Sequence, residues 1–396
     1  MKEEVSVAFI EDTAATIPVL PEEVIEHVVH ELSESLAALK ACSLASKSFC
    51  NLARPHIHSQ LTFNAVPDDI ARLSHYTNTP PLIAYIRRLI LNYPKRQTTT
   101  IAEFESALRR LGTLPNVRSL EINGVNFMND QGRELGSLIA SLLPRVRSLT
   151  VGYRSAFYDI NHLSSLIHSF PLVQNLDLGY IAFKGSASTE SEGGSKAEPK
   201  ILGLHSLRLL NRKEFRKEEI MKLLRIDPNS ERGFPLESLT IYWPRRCYSA
   251  GSIDYDLYEL FGPSVRHLRL EIGDNSHGME GLFSKCVNLE TLYIEVARRG
   301  RNYFRMASFR QMGSLHLRKL TLRPRANTLE KITDTFAPER LDNELKKGGY
   351  RIDKILFSLS IGHRMSSPLK SIMAEVEENM PWSWATGGIE FEYASD

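Results

Sequence analysis

The sequence predicts an α/β protein in which three short helices precede a solenoid of stacked strand and helix units, with parallel strands on the inside and helices on the outside. Two patterns predict this fold. Apolar residues fall at helical spacing, with two breaks, between residues 17 and 63. An aliphatic triplet then recurs nine times between residues 86 and 322. Because 42% of the 396 residues are hydrophobic and 24% are charged, the composition is that of a globular protein.

Residues 17–63 are predicted to form three helices, separated by breaks near Ser33 and Ser46. Pro21 is expected at the first helical position, where its fixed φ suits the helix and its missing N–H costs nothing. Pro55 is expected to end the third helix. A stretch of about 40 residues with two breaks buries too little apolar surface to form a stable core on its own. Some of its apolar side chains are therefore expected to need a partner.

The segments LPEEVI at 20–25 and LASKSF at 44–49 resemble an F-box. That family's pattern opens with Leu-Pro and an acidic residue, continues with paired aliphatics and a leucine ladder, and closes on a Val-Ser-Lys-x-Trp segment. The chain keeps this order and spacing. It has Ala45 where the family has valine and Phe49 where the family has tryptophan, and both residues remain apolar.

The F-box resemblance implies docking onto the Skp adaptor of a cullin-based ubiquitin ligase, with the rest of the chain selecting the protein to be ubiquitinated. A chain in that role has no catalytic residue and needs no cofactor. An ordinary helical hairpin at the start of a larger domain is the alternative. The residues implied in adaptor binding are Leu20, Pro21, Val24, Ile25, Val28, Leu32, Leu36, Leu39, Leu44 and Phe49.

The chain lacks the sequence signals of membrane insertion and secretion. No run of about 18 apolar residues is present. The first 16 residues carry four acidic side chains around a brief apolar patch, whereas a secretory signal has a basic start and a longer hydrophobic core. Residues 1–16 are therefore expected to be a flexible N-terminus, and the protein to be cytoplasmic, nuclear or both.

No catalytic or metal-binding motif is found in the sequence. The four cysteines form no CxxC pair, so reduced thiols are expected and no metal site is predicted. Nine acidic and four basic side chains give residues 1–60 a charge of −5, which leaves +7 on residues 61–396. Neither part is basic enough to predict nucleic-acid binding. Weak nucleic-acid or anion binding through Arg298, Arg299 and Arg301 is kept as an alternative.

The recurring triplet consists of three aliphatic residues. The second stands three positions after the first, and the third stands two positions after the second. Its central leucines are 24 to 32 residues apart. The last two aliphatics alternate with other residues, which is typical of a strand with one buried face. The nine triplets are Ile86-Leu89-Leu91, Val117-Leu120-Ile122, Val146-Leu149-Val151, Val173-Leu176-Leu178, Leu204-Leu207-Leu209, Leu236-Leu239-Ile241, Val265-Leu268-Leu270, Leu289-Leu292-Ile294 and Leu317-Leu320-Leu322.

Helices are predicted between the triplets. Phe104, Leu108 and Leu111 have helical spacing, and Asp130 is a candidate cap for the next helix. Several of these helices are followed by a proline just before the next strand. Such units cannot bury their apolar faces singly, so they are expected to stack.

Residues 82–323 resemble a leucine-rich-repeat domain, and we place this solenoid at residues 64–325. The Asn or Cys that the family has three positions after the last aliphatic is absent, and Val125 and Ile181 stand there in two repeats. A doubly wound α/β domain is the alternative. Its strands would be apolar on both faces, whereas Glu121, Asp177 and Arg269 are polar.

Two further segments are predicted from composition. Residues 184–200 are rich in serine, glycine and charge, which predicts a disordered insertion in the solenoid. Residues 326–396 are predicted to form a C-terminal repeat or cap, with a tenth triplet at Leu356, Leu359 and Ile361.

The inner face of the solenoid is expected to bind the target, an unidentified protein. Its later repeats are richer in tyrosine and arginine, which are enriched at interface hot spots. A scaffold that acts outside the ligase is the alternative function. The residues predicted to bind the target are Tyr242, His267, Arg269, Tyr293 and Arg323.

Overall fold

The chain divides into two compact units, residues 1–60 and residues 61–396. The predicted flexible N-terminus lies outside the described residues, and so does the predicted insertion at 184–200 apart from Lys184. The computed structural model describes residues 20–93, 100–152, 154–184, 203–210, 217–226, 234–243, 257, 259–272, 285–296, 316–324, 338–348, 351–360, 369–385 and 388–394.

Three helices form the described part of the first unit: α1 (Glu22–Glu31), α2 (Leu36–Ser43) and α3 (Lys47–Ile57). The two predicted breaks become helix starts, because the side chains of Ser35 and Ser46 accept hydrogen bonds from backbone N–H groups three residues on. Pro21 precedes α1 as its N-cap residue instead of occupying the first helical position. Pro55 lies inside α3 and does not end it, since the amide of His58 still closes the last turn onto the carbonyl of Arg54.

The first unit has a small hydrophobic core. Its fully buried members are Ile25, Val29, Leu39 and Ala53, one or two from each helix. Leu32, Phe49, Leu52 and Ile57 pack around them and remain partly exposed. The unit therefore buries few apolar side chains, as a domain of this size must.

The second unit is built on a 12-stranded sheet, and every neighbouring pair from the second strand to the twelfth is parallel. The mixed α/β class is thereby confirmed. The strands, in their order across the sheet, are β1 (Gln60–Asn64), β2 (Arg88–Asn92), β3 (Ser119–Asn123), β4 (Ser148–Val151), β6 (Asn175–Leu178), β8 (Ser206–Leu209), β9 (Ser238–Trp243), β10 (His267–Ile272), β11 (Thr291–Val296), β13 (Lys319–Pro324), β15 (Ile355–Ser360) and β16 (Ile389–Ala394).

The last two residues of each predicted triplet lie on one of nine consecutive strands of this sheet, from β2 to β13, and the first residue precedes its strand. Their central leucines are aligned in register from strand to strand and all are buried. Strand order follows chain order without the reversal that a doubly wound sheet contains. We call these aligned residues the leucine row: Leu89, Leu120, Leu149, Leu176, Leu207, Leu239, Leu268, Leu292 and Leu320.

Helices between the strands complete the core of the second unit, as when Phe104 and Leu108 join the same cluster as the leucine row. Asp130 is the first residue of its helix, and the preceding Asn129 is the cap, accepting a hydrogen bond from the amide of Gly132. The described helices are α4 (Pro67–Asn78), α5 (Pro80–Ile83), α6 (Ile101–Leu111), α7 (Asp130–Leu142), α8 (Ile160–His168), α9 (Lys217–Leu224), α10 (Pro338–Gly348), α11 (Leu369–Asn379) and α12 (Pro381–Ala385). None of them is long and apolar enough to cross a bilayer.

Two pairs of two-residue strands lie outside the main sheet. They are β5 (Ala156–Phe157) with β7 (Ala182–Phe183), and β12 (His316–Leu317) with β14 (Arg351–Ile352).

The sequence analysis missed the strands at both edges of the sheet. Strand β1 belongs to the second unit because Leu61 and Phe63 are buried in its core, so the boundary between the units falls before the predicted 63/64. Strand β15 extends the sheet, but Ile355, and not the central Leu359 of the predicted tenth triplet, aligns with Leu320. The predicted tenth triplet is therefore displaced by four residues, since β15 buries residues of both faces and alternation cannot set its register.

The C-terminal elements are pinned by a buried carboxylate. Asp342 of α10 accepts hydrogen bonds from the amides of Trp382 and Ser383 at 3.1 and 2.9 Å, and from the Ser383 hydroxyl at 2.6 Å. These amides belong to the first turn of α12, where backbone N–H groups have no partner within the helix. Asp342 thereby fastens α12 to α10.

Candidate functional site

Among residues 20–60 of the first unit, four large apolar side chains are exposed. Leu44 is 88% exposed, Leu20 51%, Leu36 49% and Val24 44%. Leu36 is the first residue of α2 and Leu44 follows its last residue, whereas Leu20 and Val24 lie at the start of α1. In a unit with so small a core, that much exposed apolar surface is typical of a protein-binding site.

The ten residues predicted to bind the adaptor divide by burial. Ile25 and Leu39 are buried in the core of the unit, where they pack between its helices. The reason is helical geometry, because neighbours such as Val24 and Ile25 point about 100° apart and only one can face outward. The exposed members are Leu20, Pro21, Val24, Leu36 and Leu44, and the half-buried ones are Val28, Leu32 and Phe49.

A chain of ion pairs crosses the polar face of the main sheet, and we call it the charge network: Asp177, Arg208, Glu271, Arg269 and Glu295. Arg208 lies 3.3 Å from Asp177 and 3.3 Å from Glu271, and it reaches Glu271 across the intervening strand β9. Arg269 lies 3.2 Å from Glu271 and 2.8 Å from Glu295. The five groups alternate in sign along four strands.

Two carboxylates of the charge network are nearly inaccessible, since Glu271 is 5% exposed and Glu295 is 4% exposed. Burying a carboxylate is costly unless a cation and hydrogen bonds compensate for it. Arg208 and Arg269, each about 40% exposed, provide that compensation. Burial also raises the pKa of Asp177 above its ordinary value, and the adjacent Arg208 opposes that rise.

Aromatic side chains border the charge network. The guanidinium carbon of Arg269 lies 4.3 Å from the centre of the Tyr293 ring, which is a cation–π contact. Burial raises the pKa of Tyr293, and a hydrogen bond with Arg323 opposes the rise. The rings of Tyr242 and Tyr180 meet edge to face with centroids 6.3 Å apart.

The five residues predicted to bind the target do not all take part in one cluster. Arg269, Tyr293 and Arg323 are connected by the contacts above, whereas Tyr242 contacts Tyr180. The ring Nδ1 of His267 lies 2.9 Å from the Thr291 hydroxyl. The sequence analysis missed the role of Asp177, Arg208, Glu271 and Glu295. Opposite charges at corresponding positions of successive repeats were a signal for Asp177 and Arg208 alone. Glu271 lies opposite Glu295 in the register, so the same rule gave no signal for these two.

The other end of the sheet carries a row of asparagine side chains beside an ion pair between Arg88 and Glu121. Asn92 donates to the side-chain oxygen of Asn64 at 2.9 Å, and Asn123 donates to that of Asn92 at 2.9 Å. The row ends at Gly152, where a Cβ atom would lie 1.9 Å from the side-chain oxygen of Asn123. Two carboxylates complete the hydrogen bonding of this asparagine row, because Asn64 also donates to Asp69 and Asn123 also donates to Glu121. Stacked amides form similar ladders in repetitive sheets.

Models of known protein families and curated protein sequences were compared with the chain, and neither comparison gave a match. Within the described ranges, no three histidine, cysteine, aspartate or glutamate side chains are grouped as a metal site requires.

Proposed function

We propose that the protein is a substrate-recognition subunit of an SCF-type cullin ubiquitin ligase. In this proposal the first unit is an F-box that binds the Skp adaptor, and the second unit is an irregular leucine-rich-repeat-like solenoid that binds a target protein. The chain brings the target to an enzyme carried by the cullin, so its contribution is proximity and it needs no catalytic residue of its own.

The observation that carries this proposal is the exposure of Leu20, Val24, Leu36 and Leu44. The helices of the first unit already have a core in Ile25, Val29, Leu39 and Ala53, so the exposed side chains are not required to hold the unit together. Burying a leucine side chain in an interface is worth roughly 1.5–3 kcal/mol. Four such side chains, in a segment whose order resembles an F-box, support adaptor binding.

Support for the repeat assignment comes from the second unit. Nine leucines spaced 24 to 32 residues apart lie in one register across consecutive parallel strands. Strand order that follows chain order is what stacking of successive repeats produces.

The target site is proposed on the polar face of β6 to β13, at the charge network and Tyr293. Arg269 is held by two carboxylates and one aromatic ring, so its side chain has little freedom left to lose when a partner binds. Restrained arginine and tyrosine side chains are the groups that dominate binding energy in protein interfaces. The asparagine row has no such groups and is proposed to be structural.

Co-purification with the host's Skp adaptor tests the adaptor proposal. The full chain should bind the adaptor, and Val24→Asp with Leu44→Asp should weaken binding by at least about tenfold, because a charge would be buried in the interface. Val287→Asp is the matched control, since Val287 is an exposed apolar residue of the second unit. The proposal fails if the folded chain does not bind the adaptor, or if the double variant binds as well as the control.

A further inference from the structure

Nine residues lie in a row along the side of the main sheet where the strands begin, and we call them the strand-start row. Each stands one residue before its strand, and the backbone amide of each later member donates to the carbonyl of the member before it, at 2.8–3.0 Å. Successive members are therefore one strand spacing apart, about 4.8 Å. In order they are Arg87, Arg118, Arg147, Gln174, His205, Glu237, Arg266, Glu290 and Arg318.

The last three members of the strand-start row alternate in charge. Glu290 stands between Arg266 and Arg318, and its carboxylate oxygens lie 3.4 and 3.5 Å from the two guanidinium groups. Opposite charges at corresponding positions of adjacent strands stabilise a sheet. In the later repeats the charges of the row are thus paired within the chain.

The first three members of the row carry the same charge. Arg87, Arg118 and Arg147 are exposed, and none of them forms an ion pair with a carboxylate among the described residues. Like charges directly opposite each other on neighbouring strands are destabilising. The early repeats therefore retain a repulsion that Glu290 removes at the equivalent positions of the later repeats.

Two further arginines add positive charge beside these three. Arg145 is exposed and, within the described ranges, has no ion pair, whereas Arg88 pairs with Glu121 at 2.9 Å. Four of the five arginines thus have no carboxylate partner in the described part of the chain. The three turns that lead into β2, β3 and β4 contain no aspartate or glutamate: residues 82–87, 112–118 and 143–147.

We propose that the arginine cluster, which consists of Arg87, Arg118, Arg145 and Arg147, binds an acidic segment of a partner protein. The carboxylates of that segment would take the place that Glu290 has between the later arginines. A guanidinium offers parallel N–H donors that match the two oxygens of a carboxylate. The three arginines of the row span about 10 Å, which an extended peptide covers with three or four residues. A short run of aspartate or glutamate is therefore the ligand that fits.

Nucleic acid fits the arginine cluster less well. Proteins that bind single strands combine basic groups with aromatic rings on which the bases stack, and the strand-start row contains no phenylalanine, tyrosine or tryptophan. Strong binding to a duplex involves about six or more phosphate contacts. The positive part of the row is shorter than that requires, because Gln174 follows Arg147 and the row then reaches Glu237.

The arginine cluster is separate from the proposed target site. It lies at the start of β2, β3 and β4, whereas the charge network lies on β6 to β11. The inference is therefore an additional contact surface on the second unit, and it does not depend on the proposed ligase role.

Fluorescence anisotropy of labelled hexaglutamate mixed with the full chain tests the proposal at about 50 mM salt, where exposed charges are only weakly screened. The wild-type chain should bind hexaglutamate with a submillimolar Kd and should not bind hexaglutamine. The triple variant Arg87→Gln, Arg118→Gln and Arg147→Gln should bind hexaglutamate about tenfold more weakly, because three exposed ion pairs are lost.

A matched control removes the same total charge from arginines that already have carboxylate partners. It combines Arg109→Gln on α6 with Arg266→Gln and Arg318→Gln, and its affinity for hexaglutamate should stay within about threefold of wild type. An equal loss of affinity in the triple variant and this control would show that only net charge matters and would overturn the proposal.

The variant Arg118→Glu should change stability and binding in opposite directions. It gives the early repeats the arginine–glutamate–arginine order of the later ones, so it should raise the thermal unfolding midpoint. It should also weaken hexaglutamate binding at least as much as the triple variant does, and it provides the same test if the triple variant unfolds at a lower temperature. Wild-type binding by Arg118→Glu would overturn the proposal.

Two further results would overturn it. One is a wild-type Kd for hexaglutamate weaker than about 1 mM. The other is tighter binding of a thymidine heptanucleotide, which carries the same six charges, since that result would assign the arginine cluster to nucleic acid. Adaptor binding is measured on the first unit, so a failure here is distinguishable from a failure of the proposed function.

Discussion

The two units differ in how far their apolar side chains are buried. In its described part, from residue 20 onward, the first has four fully buried apolar side chains and leaves large ones such as Leu44 in solvent. The second buries a leucine row across nine strands and covers its outward strand face with hydrogen-bonded or ion-paired polar groups. A small helical module cannot enclose all its apolar residues, whereas a stacked sheet can. Under the proposed function, the adaptor would cover the exposed apolar side chains of the first unit, whereas the target would meet a largely prearranged polar surface on the second.

The largest expected effect is the loss of stability caused by a cavity in the core of the second unit. Leu207→Ala removes a fully buried side chain from the middle of the leucine row and should lower the free energy of unfolding of the second unit by about 2–5 kcal/mol. Urea titration followed by tryptophan fluorescence measures this unit selectively, because Trp243, Trp382 and Trp384 are the chain's tryptophans and all lie in it. A loss below 1 kcal/mol would mean that the sheet core is less tightly packed than the register implies.

Two leucine substitutions compare a buried and an exposed side chain within the first unit. Leu39→Ala should destabilise it by about 2–4 kcal/mol, because Leu39 is buried, while Leu44→Ala should change its stability by less than about 0.5 kcal/mol. Hydrogen exchange of peptides from residues 20–60 reads out this unit alone. Equal effects of the two substitutions would show that Leu44 is enclosed in solution and would remove the basis for the adaptor site.

Substitution of two glutamates tests whether the buried ion pairs of the charge network stabilise the second unit more than a surface ion pair does. Glu271→Gln leaves Arg208 and Arg269 without a shared carboxylate, and we expect a loss of about 1–3 kcal/mol, reduced from the fully buried case because both arginines are partly exposed. Glu290→Gln is the matched control: Glu290 pairs with Arg266 and Arg318 at the surface and should cost at most about 1 kcal/mol. If both variants unfold at the same urea concentration, the charge network contributes nothing beyond a surface ion pair.

The smallest expected effect is a pH dependence in the second unit. His168 of α8 lies 3.1 Å from the carbonyl of Leu223, and burial together with the nearby Arg225 lowers the pKa of His168. A lowered folded-state pKa means that the stabilisation is complete above the ordinary histidine value of about 6.5 and is lost as pH falls through the folded value. His168→Gln keeps a donor without titrating, so its stability should vary less between pH 7 and pH 5. An identical pH profile for wild type and variant would assign the effect to other groups.

The candidate sites were only partly accessible to sequence reasoning. The F-box-like order identified the exposed Leu20, Val24, Leu36 and Leu44, but it also included Ile25 and Leu39, which face the unit's own core. Arg269 and Tyr293 were selected by residue type. Their buried carboxylate partners, Glu271 and Glu295, were not selected, because residue type alone does not show which charges meet.

The sequence by itself determined the nine strands of the leucine row and the helices between them, because period-two and period-3.6 patterns act within a few residues of chain. The tertiary structure alone decided two features: which face of each short helix is exposed, and which charges pair across strands. Each depends on residues about 25 to 60 positions apart, such as Arg208 and Glu271, and their contact exists only once strand register is set. Alternation also failed at β15, because burial of both faces removes the signal that fixes register.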